Sequence, residues 1–314
     1  MIRSNRGFKD RIAGHSGMRV VVVMPARNEE KLISKSINSV PKSVDWIIVI
    51  NDGSTDRTEK MAVETLKERG EVISTKGLGV GGAIQTGCEW ALQKFGTDCV
   101  VVIMAGDGQM DSQDLPNLIE PVLEKRADHV KGNRWSHPDG PKGMPWIRRV
   151  GTWWLSRLTS LASGVRIRDS QCGYTATSGD MIANWDWAKT WQGYGYPNWW
   201  LMEAGRRGFR IEEKPVKSIY ANEKSGIHLV TFFPSVSWML WIGIWKRGAE
   251  WYIIGKGTKW PLKFAACSLW FGGWFSLLYS LKLPAVGLVA PVAFVVLAML
   301  DRKESKRRRG DIIP

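Results

Sequence analysis

The sequence predicts an α/β fold with a mostly parallel sheet, followed by helices that associate with a membrane. From residue 19, short runs rich in valine and isoleucine alternate with amphipathic stretches, the pattern of a parallel sheet covered by helices on both faces. Polar motifs follow several of these runs directly, where ligands gather in such folds. Two long apolar stretches near the end of the chain predict membrane-spanning helices.

Each element of the sheet is marked by a change in pattern. The strands are predicted at MRVVVVMPA, VDWIIVIND, EVIST and DCVVVIMAGDG. Helices are predicted between them at EEKLISKSINSV, STDRTEKMAVETLKERG and GVGGAIQTGCEWALQKFG. The polar motifs PARNEE, NDGSTD and AGDGQMD fall at the ends of the first, second and fourth strands. Their shared position at strand ends is stronger evidence for a ligand site than any one motif.

The two apolar stretches, 262–281 and 283–300, are each about long enough to cross a bilayer core. Lys282 and Pro284 break the run between them, which favours a helical hairpin; a buried apolar hairpin in a soluble protein is the alternative. Before it, Trp238, Trp241 and Trp245 share one helix face, typical of an interfacial helix or of a core helix.

These patterns divide the chain into five predicted parts. They are a basic flexible arm at 1–18, an α/β domain at 19–230, interfacial amphipathic helices at 231–260, a transmembrane hairpin at 261–300 and a basic tail at 301–314. The basic tail places the α/β domain and both termini in the cytoplasm.

Composition narrows the class of protein. The formal charge of +14 suits nucleic acid or an anionic lipid surface, and the 18 tryptophans favour the membrane–water boundary. Nucleic acid is disfavoured because the basic residues form no recognition motif. The four cysteines have no paired or metal-type spacing, which excludes a disulfide framework and cysteine chemistry.

The motifs PARNEE, NDGSTD, MAGDGQMD and DSQCGYTA, in this order and spacing, resemble those of family 2 glycosyltransferases with the GT-A fold, a Rossmann-like nucleotide-sugar-binding domain. More closely, the chain looks like the polyprenyl-phosphate sugar transferases, the dolichol-phosphate-mannose and dolichol-phosphate-glucose synthases. The resemblance spans about residues 19–230, and the hairpin matches the longer members. It implies a membrane-anchored inverting enzyme that moves a hexose from a UDP- or GDP-sugar to a polyprenyl (dolichyl) phosphate.

The resemblance also implies a donor site at the strand ends. Pro25, Arg27 and Glu29 would line the nucleotide pocket, and Asp52 would meet the base or ribose. The full set expected around the donor is Pro25, Arg27, Glu29, Asp52, Ala105, Gly106, Asp107, Gln109, Arg134 and Lys224. The residues expected to carry catalysis are Asp107, Arg134, Asp169 and Lys224.

A divalent cation, Mg²⁺ or Mn²⁺, is the expected cofactor because the leaving nucleoside diphosphate gains negative charge. Family members usually carry Asp-x-Asp-x-Gln here, but this chain has Ala105 at the first position. The metal is therefore expected on Asp107 and Gln109 together with the diphosphate, with Asp111 nearby. A solvated acidic loop without a metal is the alternative.

On the acceptor side, Arg134 together with Arg148 or Arg149 is expected to bind the lipid phosphate, since guanidinium matches phosphate bidentately. An ionised phosphate needs no general base. Asp169 would orient either the metal complex or an arginine, and Lys224 would contact the donor diphosphate.

Two other functions remain open at this level. A hydroxyl acceptor would require a carboxylate base, for which Asp169 and Asp111 are the candidates. A catalytically dead sugar-nucleotide-binding protein would be consistent with Ala105. The sequence leaves the nucleotide, the sugar, the polyprenol, the metal and the oligomeric state open.

Overall fold

A seven-stranded sheet organises the α/β domain in the computed structural model, which describes residues 17–219, 229–255 and 257–309. The strands are β1 Arg19–Ala26, β2 Trp46–Asp52, β3 Gly70–Thr75, β4 Cys99–Ile103, β5 His129–Asn133, β6 Thr175–Ser178 and β7 Ile211–Pro215. Their order is β3-β2-β1-β4-β6-β5-β7. Only β6 runs antiparallel to its neighbours β4 and β5, so the predicted mostly parallel sheet is confirmed.

The predicted helices fall where the amphipathic and apolar stretches placed them, and further helices lie between β4 and β7. They are α1 Ile33–Ser39, α2 Thr58–Leu66, α3 Gly79–Phe95, α4 Leu115–Leu123, α5 Trp146–Ser163, α6 Gly179–Ala183, α7 Tyr196–Arg207, α8 Leu229–Gly248, α9 Trp260–Tyr279 and α10 Val289–Arg308. The first helix begins at Ile33, later than the sequence predicts, because the residues before it bond to the neighbouring loop.

Helices cover both faces of the sheet. On one face α1, α2 and α4 pack against the sheet, and on the other α3, α6 and α7 do so. Because both faces are buried, the central strands are apolar almost without interruption: Val20 to Met24 of β1 are fully buried. A third apolar cluster joins α5, α7 and α8. Because α7 packs on the sheet, this cluster attaches α5 and α8 to the α/β domain.

Helices α5 and α8 lie side by side. Gly151 packs directly against the ring of Phe233, and Trp154 Nε1 donates to Ser237 Oγ at 3.3 Å. The tryptophans on their outer faces are between 41% and 75% exposed: Trp146, Trp153 and Trp154 on α5, and Trp238, Trp241 and Trp245 on α8. Sequence reasoning anticipated the face on α8 but not the one on α5.

Helices α9 and α10 form an antiparallel hairpin. Trp270 and Trp274 pack edge-on against Phe294, and Ser276 Oγ donates to the carbonyl of Val286 at the turn. Within the described residues, one helical stretch, Pro284–Arg308, is long and apolar enough to cross a membrane, and an 18-residue window within it has a mean hydropathy of 2.1. The hairpin is therefore observed, whereas two spans are not established.

The predicted basic tail at 301–314 differs from the structure over its first half. Residues 301–308 are the last two turns of α10. They do not extend into solvent, because Glu304 and Ser305 are buried against the rest of the protein. Residues 310–314, like residues 1–16 of the predicted arm at 1–18, lie outside the described residues.

We expect Ile48→Ala to lower the free energy of unfolding by about 2–5 kcal/mol, because Ile48 is fully buried in β2 and its truncation leaves a cavity. Chemical denaturation of the purified protein measures this. Val63→Ala on the exposed face of α2 is the control and should change stability by less than about 0.5 kcal/mol. Equal effects of the two substitutions would contradict the packing described.

Candidate active site

The polar motifs converge at one edge of the sheet because parallel strands end on the same side. β1 is parallel to both of its neighbours, β2 and β4. β6 starts at this edge because it runs antiparallel to β4 and β5. Thr175, the first residue of β6, lies opposite both Ile103 and Lys131. The loop after β4, the loop after β5 and the segment before β6 therefore meet.

The loops after β1 and β2 are bonded to each other. The side-chain Oδ1 of Asn28 accepts from Thr55 N at 2.9 Å, and the backbone N–H of Asn28 donates to Ser54 Oγ at 3.0 Å. Asn28 has a φ of 58°, a left-handed conformation that asparagine tolerates. The backbone N–H of Glu29 donates to Thr58 Oγ1 at 2.7 Å. Several polar residues of PARNEE and NDGSTD thus hold the loops that frame the predicted nucleotide pocket.

Asp52, at the end of β2, is buried and fully engaged. Its carboxylate accepts from Thr75 Oγ1 at 2.6 Å, from Leu78 N at 2.6 Å and from Gly79 N at 2.8 Å. The last two bonds satisfy backbone N–H groups at the start of α3, where a negative charge is also favoured by the helix dipole. Asp52 therefore fixes the loop between β3 and α3 at the site edge.

The other residues expected around the nucleotide differ in accessibility. Pro25 is buried within β1, and its carbonyl accepts from Gly106 N at 3.0 Å, which ties β1 to the loop after β4. Arg27 is exposed and Glu29 half-buried. Pro25 thus ties β1 to the loop after β4 through its backbone, while the nucleotide contacts expected of Arg27 and Glu29 stay predictions.

The loop after β4 presents oxygen donors. Gln109 N donates to Asp107 Oδ1 at 3.0 Å, which closes a tight turn, and the side chain of Asp107 is half-buried. Ala105 occupies the position where family members usually carry the first Asp of the motif. Its N–H donates to Met110 Sδ at 3.3 Å. Gly106 is buried, and its carbonyl accepts from Ser36 Oγ at 2.9 Å.

This donor set fits a divalent cation that is completed by other ligands. Among the described residues no group of three His, Cys, Asp or Glu side chains could hold a metal. Asp107 and Gln109 supply a carboxylate and an amide oxygen, the hard donors that Mg²⁺ takes in ones or twos when phosphates and water complete its shell. The described residues therefore fit a cation that is bound jointly by the protein and a diphosphate better than one that is bound by protein side chains alone.

The segment after β7 runs along this loop. Ile219 N donates to the carbonyl of Gln109 at 3.1 Å, Ser218 forms an antiparallel bridge with Met110, and Lys217 N donates to Asp114 Oδ2 at 2.7 Å. The loop is thus supported on two sides, by β1 and by this segment. Lys224, expected on the donor diphosphate, lies outside the described residues.

Arg134, which follows β5, is held by Asp169. Asp169 is fully buried, and its oxygens accept from Arg134 Nε at 2.7 Å, Nη2 at 2.8 Å and the backbone N at 3.0 Å. Burial alone would raise the pKa of Asp169, but the Arg134 guanidinium outweighs it and keeps the pKa below its ordinary value. Asp169 therefore orients an arginine, one of the two roles that the sequence left open.

Two further charged residues, which sequence reasoning did not assign, lie behind this pair. Glu213 of β7 accepts from the backbone N–H groups of Arg168 and Asp169. Lys131 of β5 is fully buried and donates to the carbonyl of Cys172. Burial lowers the pKa of Lys131, while the nearby carboxylates oppose that shift. A lysine inside a buried strand was the signal for this network in the sequence.

The segment before β6 is also supported from α7. Asn198 is fully buried; its Nδ2 donates to Ser170 Oγ at 3.1 Å and to Thr159 Oγ1 at 2.8 Å, and its Oδ1 accepts from Gln171 Nε2 at 2.7 Å. This gives a role to part of the motif GYGYPNWW. It links the position of Asp169 to α5 and α7.

The arginines at the start of α5 differ from each other. Arg149 donates from Nε to the carbonyl of Met144 at 3.1 Å and from Nη2 to that of Pro141 at 3.2 Å, so it holds its own loop. Arg148 is half-buried, and within the described part of the chain its guanidinium makes no hydrogen bond. The structure thus separates two residues that the sequence could not.

Two histidines can be placed. His129 is buried, bonds to Thr177 Oγ1 at 2.8 Å and packs against Trp200; burial lowers its pKa to about 3, so it stays neutral. His137 lies beside Asp139 in the loop before α5. His129 is therefore a structural histidine. His15 and His228 lie outside the described residues.

Comparison with known proteins agrees with this geometry. The family model for glycosyl transferase family 2 matches residues 21–179. An uncharacterised protein of Methanocaldococcus jannaschii is 30% identical over 219 residues, 68% of this chain and 88% of that protein. The UDP-N-acetylglucosamine–dolichyl-phosphate N-acetylglucosaminyltransferase of Methanococcus voltae is 32% identical over 217 residues, 64% of this chain and 86% of that enzyme.

Among solved structures, glucosyl-3-phosphoglycerate synthase of Mycobacterium tuberculosis in complex with UDP superposes with a TM-score of 0.59 at 20% identity, over 79% of this chain and 86% of that one. The same enzyme has been crystallised with UDP and Mg²⁺ or Mn²⁺. The fold is that of a GT-A-like glycosyltransferase. The chain belongs to glycosyl transferase family 2.

We expect Asp169→Asn to lower the free energy of unfolding by about 3–5 kcal/mol, because the half-buried Arg134 would lose its buried counter-charge. Because the folded-state pKa of Asp169 is lowered, the pair contributes fully above about pH 4 and its contribution is lost as the pH falls below that value. The variant should therefore lose part of the acid dependence of unfolding, measured by denaturation between about pH 6 and pH 3.

The control for this experiment is Glu64→Gln, which removes one partner of an exposed pair with Lys60. It should shift stability by less than about 0.5 kcal/mol. An acid dependence in Asp169→Asn equal to that of the wild type would show that Asp169 is not ionised in the folded protein.

Proposed function

We propose that this glycosyltransferase moves a sugar from a nucleoside diphosphate donor to the phosphate of a membrane-embedded polyprenol. The observation that carries the proposal is the commitment of the buried Asp169 to Arg134. A carboxylate held in this way, with a lowered pKa, presents a cation to the acceptor side and is a poor general base. A phosphate acceptor needs a cation there and no base.

Arg148 is the second phosphate ligand that we propose, in preference to Arg149. Arg149 is occupied with carbonyls of its own loop, while the guanidinium of Arg148 makes no hydrogen bond within the described residues. Arg134 and Arg148 would hold the acceptor oxygen in line with the donor bond, and catalysis would be a direct displacement with inversion.

On the donor side we propose a UDP-sugar with a divalent cation. The relative from Methanococcus voltae is named for UDP-N-acetylglucosamine, and the solved neighbour binds UDP with Mg²⁺ or Mn²⁺. Asp107 and Gln109 would hold the cation together with the diphosphate. The bound cation would stabilise the negative charge of the leaving group. The donor contacts expected of Arg27, Glu29, Asp52 and Lys224 stay predictions.

We also propose that the protein is anchored to a membrane with its catalytic domain in the cytoplasm. The apolar stretch Pro284–Arg308, the antiparallel hairpin that contains it and the exposed tryptophans of α5 and α8 support this arrangement. The same proposal includes a second crossing of the bilayer, by α9. The anchor would hold a water-soluble donor site at the surface where a lipid acceptor resides.

A hydroxyl acceptor is the second candidate function. One solved neighbour is a glucosyl-3-phosphoglycerate synthase, and glucosyl-3-phosphoglycerate is not a lipid. Of the two carboxylates considered as a base, Asp169 is committed to Arg134, and Asp111 accepts from Gln113 N at 3.0 Å at the start of a helical turn. Asp111 is thus the carboxylate whose substitution would test that function.

We expect the detergent-purified protein to transfer labelled sugar from one UDP-sugar to a polyprenyl phosphate, with UDP-N-acetylglucosamine tried first and UDP-glucose, UDP-galactose and GDP-mannose alongside it. Label entering the organic phase, dependent on Mg²⁺ or Mn²⁺, measures the reaction. Arg148→Gln should lower kcat/KM for the lipid phosphate more than Arg149→Gln does. No organic-phase label from any donor, with donor hydrolysis or binding intact, would overturn the phosphate acceptor and favour a hydroxyl acceptor or an inactive site.

We expect Ala105→Asp to lower the metal concentration for half-maximal activity by about tenfold, the equivalent of about 1.4 kcal/mol of added carboxylate–cation attraction. Titration of Mg²⁺ against the initial rate measures this, and Asp107→Asn should shift the midpoint in the opposite direction. The matched control is Asp111→Asn, which removes a carboxylate from the same loop. Equal shifts for Asp107→Asn and Asp111→Asn would argue against Asp107 as the metal ligand.

A further inference from the structure

The cytoplasmic end of α10 is bonded to the α/β domain at a cluster of buried polar groups. We call this cluster the junction and define it by Leu161, Gly164, Arg247, Asp301 and Ser305. Leu161 lies in the last turn of α5 and Gly164 is its C-terminal cap, Arg247 ends α8, and the other two residues lie near the end of α10. The junction therefore joins the candidate membrane helix to two helices of the soluble half.

Arg247 is the central residue of the junction. Its side chain is 6% exposed, and its two terminal nitrogens each donate to one oxygen of Asp301 at 2.8 Å. Nη2 also donates to the carbonyl of Leu161 at 2.7 Å. The guanidinium lies 4.5 Å from the ring centroid of Trp251. The planar guanidinium of an arginine can bind both oxygens of a carboxylate at once, which the single ammonium group of a lysine cannot do as well.

The contact with Leu161 has a physical reason. The last carbonyls of a helix have no partner within it and carry its partial negative charge. At the end of α5 a buried cation satisfies one of these carbonyls, and Ser305 Oγ donates to the carbonyl of Gly164 at 2.6 Å. Gly164 has a φ of 73°, and a Cβ there would lie 2.9 Å from Arg247 and 3.0 Å from Ser305. The chain thus leaves room for α10 to dock.

Helix α5 connects the junction with the proposed acceptor site. It begins two residues before Arg148 and ends at the carbonyls that Arg247 and Ser305 bind. Its 18 residues form a rigid element about 27 Å long. Any tilt of α10 relative to α5 would therefore change how far the acceptor arginines stand from the lipid surface.

We propose that Arg247 and Asp301 are a positioning pair that sets the height and tilt of the catalytic domain on the bilayer, so that a lipid-borne phosphate reaches Arg148. The proposal rests on the polyprenyl-phosphate acceptor proposed above. It assigns the pair no contact with substrate. Its effect is confined to acceptors embedded in a membrane, because a small soluble phosphate diffuses to the site whatever the tilt of the domain.

The test uses the full chain reconstituted in phosphatidylcholine–phosphatidylglycerol vesicles. Asp301→Asn removes the counter-charge of Arg247 with little change in shape, and Arg247→Lys keeps the charge but loses the fork. Asp186→Asn is the matched control, since it neutralises an aspartate that pairs with Lys189 at 2.7 Å on the exposed surface. Two acceptors are compared: a long polyprenyl phosphate in the vesicle and geranyl phosphate added to the water.

We expect Asp301→Asn and Arg247→Lys to lower kcat/KM for the vesicle-embedded acceptor about tenfold, as the loss of one charge-assisted contact would. The value for geranyl phosphate and the KM for the donor should stay at the wild-type level, and Asp186→Asn should match the wild type throughout. An equal fall with both acceptors, accompanied by a lower unfolding temperature, would mean a merely structural pair and would overturn the proposal. Unchanged kinetics in both variants would also overturn it.

A second measurement does not depend on the reaction. Hydrogen–deuterium exchange of residues 158–165 in the vesicle-bound protein reports whether α10 remains docked on the end of α5. Faster exchange in Asp301→Asn than in Asp186→Asn supports the docking role, and equal exchange overturns it. If the wild type glycosylates neither phosphate, the proposed function fails, and this exchange result still decides whether the pair holds the two helices together.

Discussion

Parallel pairing of β1, β2 and β4 brings their carboxyl ends to one edge of the sheet, and the candidate site depends on it. The antiparallel insertion of β6 then returns the chain to that edge, so that Asp169 meets Arg134. Each loop at the edge is bonded to another: Asn28 to Ser54, and Pro25 to Gly106. Because the strand ends are fixed by the buried core, these loops have little freedom, which is what a site for a large nucleotide-sugar requires.

The buried charges of Asp169 and Lys131 are costly, and the contacts of Asp169 show that it holds the guanidinium of Arg134 in place. Removing Asp169 and Lys131 from water is unfavourable unless each finds partners. Asp169 finds three donors on Arg134, and Lys131 finds a backbone carbonyl with two carboxylates nearby. An apolar core of equal volume would give comparable stability at lower cost. The network instead fixes the direction of one guanidinium, which suits recognition of an anion.

The soluble and apolar halves of the chain are joined by polar contacts. A hairpin attached only through a connecting loop would be free to move relative to the α/β domain. Here the guanidinium of Arg247 and the hydroxyl of Ser305 bind the carbonyls at the end of α5. The same helix carries exposed tryptophans on its outer face, and Arg148 and Arg149 lie at its start. Helix α5 thus belongs to both halves.

The sequence by itself determined the α/β class, the strands and the polar motifs at their ends, because apolar periodicity and abrupt polar breaks are local features. It also determined the polar loop that carries Asp107 and Gln109, the predicted metal ligands, and the apolar stretches near residue 300. Only the tertiary structure decided which residues meet across the chain. Asp169 and Arg134 are paired although 35 positions separate them, and Arg247 and Asp301 although 54 do. Such pairings depend on strand order and helix packing, which no local pattern encodes.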